Sequence, residues 1–229
     1  MSAYPEKSHY TAEDLAAIIA LLRDPEKGCP WDKVQTHTSI RMNFLEEAYE
    51  AVDAIDLNDP ELMCEELGDV LMQVVFHAQM ENEQGHFNFA QVCDGVCRKL
   101  IDRHPHIFLG AQSIKDWDTL KNIEKGRVTL QDDLESVPLA LPALMRAAKL
   151  QKRAARGGVT VQAKADTVAA AAKAAQLCDD AEKEAAVGQM LFAAVALARS
   201  LGVDPEQALQ RRNAQFTAQP TSCQEAEQP

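Results

Sequence analysis

No lysine stands between Lys33 and Lys99, although that interval is crowded with carboxylates. Nor does the 229-residue chain contain an apolar run of the about 20 residues that a membrane-spanning helix requires. Its opening residues, MSAYPEKSHY, hold no apolar signal core, so a cytoplasmic protein with no membrane partner is expected. Paired cysteines are missing as well. Cys29, Cys64, Cys93, Cys97, Cys178 and Cys223 are scattered, and although Cys93 and Cys97 lie one helical turn apart, no second pair completes a zinc site. Free thiols in a reducing compartment are the expectation. Runs of β-branched residues are few, while Ala, Leu, Glu and Gln abound, which favours helix. Basic charge is short overall. A net charge of −12 does not suit a protein that wraps nucleic acid by neutralising phosphates, and a phosphate-bearing substrate would need a cation recruited locally.

What is present is helical periodicity. Hydrophobic residues make up 46% of the chain, enough for a real core in one large or two small domains. Thr11 caps a first helix with the apolar stripe Leu15, Ile18, Ile19 and Leu22, and RDPEKGCPWD breaks it. A second helix carries FLEEAYEAVDAI and ends near LNDP. A third runs from about Glu61 to Glu83. Asn88 caps a fourth, which ends before RHPHIF because Pro105 disfavours helix at His104. A fifth covers residues 116–127, and the second half is again helical, broken at Gly157-Gly158 and at LGVDP. The polar tail, residues 220–229, is expected to be disordered. The halves resemble each other. EELGDVLMQVVFHAQ aligns with AAVGQMLFAAVALAR, pairing Gly68 with Gly188, Leu71 with Leu191 and Val75 with Val195. This predicts an all-α tandem repeat, one module over residues 1–127 and another over 138–219.

The carboxylates divide between two helices. On the second, Leu45, Ala48, Val52 and Ile55 form one stripe, and Glu46, Glu47, Glu50 and Asp53 fall opposite. That alone is an ordinary solvated face. The third helix is apolar over most of its circumference, and its polar strip is Glu66, Asp69, Gln73 and His77. Carboxylates on a largely buried helix need partners, and no lysine is near. A bound cation answers this, and hard oxygen ligands suit Mg²⁺, with Mn²⁺ as a substitute. Glu47 with Glu50, and Glu66 with Asp69, are i, i+3 pairs that two antiparallel helices would bring face to face. A di-iron bundle would need paired Glu-x-x-His motifs, and the single string EQGH contains Gly85 at a helix end. His77 reads as a satisfied core histidine. In the second half, Ala186 and Gln189 stand where Glu66 and Asp69 stand in the first, and TVAAAAKAAQL lies upstream. The periodicity survives there without the carboxylates, so the module does not need them in order to fold.

The pattern EExxE followed by ExxD, met by Glu46, Glu47, Glu50, Glu66 and Asp69, resembles the MazG family of nucleoside triphosphate pyrophosphohydrolases. GCPWDKVQTH, RHPHIF, WDTLKNIEK, KLQKRAAR and LARSLGVDPEQALQRRNAQF extend the resemblance over nearly the whole chain. It implies an all-α, Mg²⁺-dependent homodimer, similar in fold to the dimeric dUTPases. Such an enzyme hydrolyses nucleoside triphosphates between the α and β phosphates and cleanses the nucleotide pool. The resemblance makes Glu47, Glu50, Glu66 and Asp69 metal ligands and gives Glu46 the attacking water. It places Lys99, Arg103 and Lys121 on phosphates, and Trp117 and Trp31 on base or sugar. The second repeat departs from the pattern, with Gln215 and Gln219 where Lys99 and Arg103 stand in the first, so activity is expected from the first half alone. The rival expectation is a catalytically weak nucleotide-binding or interaction protein.

Overall fold

The computed structural model describes residues 6–108, 126 and 129–218. Every regular element among them is helical, and the chain divides into two compact units, Met1–Ile114 and Lys115–Pro229. The helix expected over 116–127 and the tail expected over 220–229 lie outside the described residues, Gly126 excepted.

In the first unit α1 spans Ala12–Leu22, α2 His37–Leu57, α3 Pro60–Glu83, α4 Phe89–Arg103 and α5 the single turn Pro105–Phe108. Capping fixes the starts. Thr11 and Asp14 form a capping box on α1, Thr36 and Ser39 on α2, and Asn88 and Gln91 on α4. Asp59 caps α3 ahead of Pro60, whose missing N–H costs nothing at the first helical position. Between α2 and α3 the chain reverses at Asn58 in the left-handed region (φ 54°), so the two helices form a tight antiparallel hairpin.

The core lies where α1, α2 and α3 meet: Ile19, Ile40, Val75, Phe76 and Met80, with Leu15, Met72 and Phe89 of α4 against it. Arg23 at the end of α1 is buried and binds the Glu83 carboxylate with Nε and Nη2 (2.7 and 2.8 Å). Its Nη1 donates to the carbonyls of Asp32 and Gln35, and its guanidinium lies over the Phe76 ring. One cation thus ties α1, the GCPWD loop and the end of α3 together, and it holds the Glu83 carboxyl below the ordinary carboxylate range. That loop needs its glycine. A Cβ on Gly28 would stand 2.4 Å from the carbonyl oxygens of Leu22 and Asp24.

The predicted stripe of α2 does not face this core. Ile40, Ala51 and Ala54 are buried instead, and Leu45, Val52 and Ile55 are exposed. The N-terminal half of α3 is likewise open at Leu67 and Leu71. A helical wheel locates an apolar face without saying what covers it, and here none of the described residues of the unit does.

In the second unit α6 spans Leu130–Glu135, α7 Ala143–Arg156, α8 Ala165–Leu177, α9 Lys183–Ser200 and α10 Pro205–Thr217. Helix α9 packs on α7, α8 and α10. Its buried residues are Ala193, Val195 and Ala196. Gln151 of α7 is fully enclosed. Its Nε2 donates to the Phe192 carbonyl (2.8 Å), and its Oε1 accepts from Arg199 (3.3 Å). Arg153 and Arg156 both reach Asp133 of α6. No single helix among the described residues is long and apolar enough to cross a membrane.

A candidate metal centre between two helices

Glu47 lies one turn before Ala51 on the side of α2 that faces α3. Glu66 and Asp69 stand one turn apart on α3, where the hairpin turns them toward Glu47. All three are half-buried, and one carboxylate oxygen from each comes within 4.8 Å of the others. Glu50 is exposed and outside this group of three, yet close enough for its charge to act on both Glu47 and Glu66. Glu46 and Asp53 are exposed on the outer side of α2.

The cluster is electrostatically unbalanced. Burial raises the Glu47 carboxyl above its ordinary value, the Asp69 and Glu50 charges raise it further, and a side-chain hydrogen bond from Gln73 opposes them. Glu66 is raised by burial, then by Glu50, Glu65 and Asp69. Among the described residues no basic side chain forms an ion pair with any of the four. Gln73, one turn past Asp69, is buried, and its Oε1 meets no donor. Three or four hard oxygens in mutual repulsion, beside a spare acceptor, are what a small divalent cation balances, and the donor set fits Mg²⁺ or Mn²⁺.

Around this cluster the remaining candidates are spread. Trp31 is 57% exposed and borders a small cavity of about 90 Å³ with Asp32, Asn43, Met72, Gln73 and Phe76. Lys99 is half-buried on α4, and Arg103 at its end is 8% exposed. His104 turns its Nδ1 to the Leu100 carbonyl and stacks obliquely on His106, shaping the turn into α5. Trp117 and Lys121 lie outside the described residues.

A wider groove of about 630 Å³ opens elsewhere in this unit, lined by His37, Phe44, Val74, His77, Glu81 and Phe87 among others. Sequence reasoning took His77 for a satisfied core histidine without naming its partner. It is half-buried, and its partner is His37, Nδ1 to Nδ1 at 2.7 Å. The two are 40 residues apart, and no local pattern joins them.

The MazG nucleotide pyrophosphohydrolase domain matches residues 35–108, which include both carboxylate pairs. The chain is 42% identical over 218 residues to the nucleoside triphosphate pyrophosphohydrolase of Escherichia coli K12, covering 88% of this chain and 82% of that protein. The chain belongs to the MazG family. It is also 41% identical to the nucleoside triphosphate pyrophosphohydrolase/pyrophosphatase MazG of Thermotoga maritima, over 89% of this chain and 82% of that one. A further relative, the nucleoside triphosphate pyrophosphohydrolase of Mycolicibacterium smegmatis, is 34% identical over 66% of this chain and 48% of its own length.

Proposed function

We infer that this MazG chain is a nucleoside triphosphate pyrophosphohydrolase, dependent on Mg²⁺ and acting in the cytoplasm to clear unwanted (deoxy)nucleoside triphosphates. The observation that carries the reading is the convergence of Glu47, Glu66 and Asp69 on one point between α2 and α3. Mg²⁺ held there, with Glu50 closing in as a fourth ligand, would offset the repulsion between an acidic protein and a triphosphate and take up charge on the departing pyrophosphate. Glu46 would accept the proton of the water that attacks the α-phosphorus. Lys99 and Arg103, with Lys121, would meet the phosphate oxygens as charge-assisted donors. Trp31 and Trp117 would offer ring faces to the nucleoside.

The exposed apolar residues of the hairpin favour a homodimer. Leu45, Tyr49, Val52 and Ile55 on α2 and Leu67 and Leu71 on α3 are all more than a third exposed, and exposed apolar side chains grouped on neighbouring helices suit a partner surface. The second unit reads as a degenerate repeat. Helix α9 packs on α7, α8 and α10 as α3 packs on α1, α2 and α4, and buried Ala193, Val195 and Ala196 stand at the places of buried Gln73, Val75 and Phe76.

The test is product analysis with α-labelled triphosphates, run over a panel of bases and sugars with and without Mg²⁺. Nucleoside monophosphate and pyrophosphate, formed only with the metal, are expected. Diphosphate with orthophosphate would refute cleavage at the α–β bond. Binding without turnover on every triphosphate would favour the weak-binding alternative.

A further inference from the structure

His37 and His77 meet in an unusual way. Their Nδ1 atoms are 2.7 Å apart, their ring planes differ by 6°, and their centroids are 5.0 Å apart. That centroid spacing is as great as two imidazoles joined nitrogen to nitrogen can reach, so the rings are coplanar and head to head. Such a contact holds one proton. The far side of His37 is fixed too, with Nε2 2.7 Å from Glu81 Oε1, and the other Glu81 oxygen takes His86 Nδ1 at 2.7 Å. The two histidines hold the Glu81 carboxyl below the ordinary range, so it is ionised and can only accept. His37 therefore carries its proton on Nε2 and offers the Nδ1 lone pair, and His77 supplies the shared proton from its own Nδ1. The Nε2 of His77, which has no hydrogen-bond partner among the described residues and is not enclosed, is left as a bare acceptor at the groove.

The position of this pair in the hairpin gives it a consequence. His37 is the first residue of α2, and His77 and Glu81 lie near the end of α3. The Asn58 turn closes one end of the α2–α3 hairpin, and the His37–His77 contact closes the other. Glu47, Glu50, Glu66 and Asp69 all lie between the two closures. We propose that the His37–His77 pair is a proton-operated latch that positions α2 against α3 in the register their metal-binding carboxylates require. The proposal rests on the metal-centre reading above.

The latch accepts one added proton without opening. The proton enters from water at His77 Nε2, and the shared proton passes from His77 Nδ1 to His37 Nδ1. The hydrogen bond survives with its direction reversed. A second added proton has only Nδ1 of His77 to bind. Two N–H groups and two positive charges then face each other at the former contact, and it breaks. Glu81 and, through it, His86 are the charged groups that bear on the pair. Helix α2 adds Phe44 to the groove and α4 adds Val92, neither of them titratable, and no residue of α1 lines it. Burial and the neighbouring His37 both disfavour a charge on His77, so the opening step falls on the acid side of an ordinary histidine.

The experiment uses the full metal-free chain. Long-range ¹H–¹⁵N spectra of the histidine rings, recorded from pH 8 downward, report each tautomer. The latch requires His37 protonated on Nε2 and His77 on Nδ1 at the alkaline end, and two separate titration steps. The His37→Asn variant, altered at a partly exposed residue, should merge the steps and move the His77 titration to higher pH. Calorimetric titration with Mg²⁺ and a non-hydrolysable triphosphate at neutral and mildly acid pH supplies the second readout. A His37→Asn His77→Asn variant, whose amides bridge without titrating, should lose severalfold less affinity on acidification than the native chain. Independent single-step titration of the two rings, or equal losses of affinity in native and variant proteins, would overturn the proposal. No Mg²⁺-coupled binding at any pH, with the two-step titration intact, would overturn the metal-centre reading and the positioning role with it, and leave the proton-sharing pair standing.

Discussion

Among the carboxylates, three of the four expected ligands converge and the fourth stands beside them, so single substitutions should act sharply. Glu66→Gln and Asp69→Asn each remove a ligand charge while preserving shape and helix. Loss even of groups that merely orient ligands costs about 10–100-fold, so each variant should fall at least that far in turnover while its circular dichroism stays native. Near-native rates in either would show that the ion sits elsewhere. Titration gives a second handle. Glu47 and Glu66 bind a proton more readily in the folded state than in the unfolded one. Their favourable contribution is therefore full below the ordinary carboxylate pKa and lost as pH rises through the raised folded value. As pH rises above the ordinary carboxylate range the metal-free protein should lose melting temperature relative to a Glu47→Gln Glu66→Gln variant, and Mg²⁺ at neutral pH should restore it in the native chain alone. Parallel melting curves for the two proteins would contradict the repulsion.

At the level of helices, sequence and structure agree where the signal is local. Thr11 and Asn88 cap the helices they were expected to cap, and α3 begins within a residue of its expected start. The carboxylate pairing was legible as well, because i, i+3 spacing on consecutive helices leaves few geometries open. Two features were not legible. The stripe Leu45, Val52, Ile55 has the periodicity of a core face, but it is Ala51 and Ala54 that let α3 approach closely, and periodicity does not distinguish a face buried within a chain from one left for another chain. The His37–His77–Glu81 contact depends on how far α2 and α3 overlap, which no residue near His77 encodes. The outward stripe carries its own expectation. A fully buried Leu or Val contributes about 1.5–3 kcal/mol, and a carboxylate in its place must be desolvated. Val52→Glu with Leu67→Glu should therefore weaken self-association by more than about tenfold in sedimentation equilibrium, with unfolding of the monomer little changed. A native-like association constant would refute the dimer contact proposed on this face.

Across the whole molecule, charge is divided unequally. Residues 1–114 hold 8 basic and 20 acidic residues, and residues 115–229 hold 15 of each, so the entire net charge of −12 belongs to the unit with the carboxylate cluster. In the repeat proposed above, Ala186 and Gln189 of the second unit align with Glu66 and Asp69 of the first. With no carboxylate pair on α9 it has little to hold Mg²⁺, so it should contribute stability or assembly and leave chemistry to the first unit. Calorimetric titration of the full chain with Mg²⁺ and a non-hydrolysable triphosphate, compared with a Glu66→Gln Asp69→Asn double variant, separates the units without cutting the chain. The double variant should lose essentially all coupled binding. A surviving set of tight sites equal in number to those lost would mean that the second unit binds nucleotide by a different set of residues, and would refute the reading of it as a silent repeat.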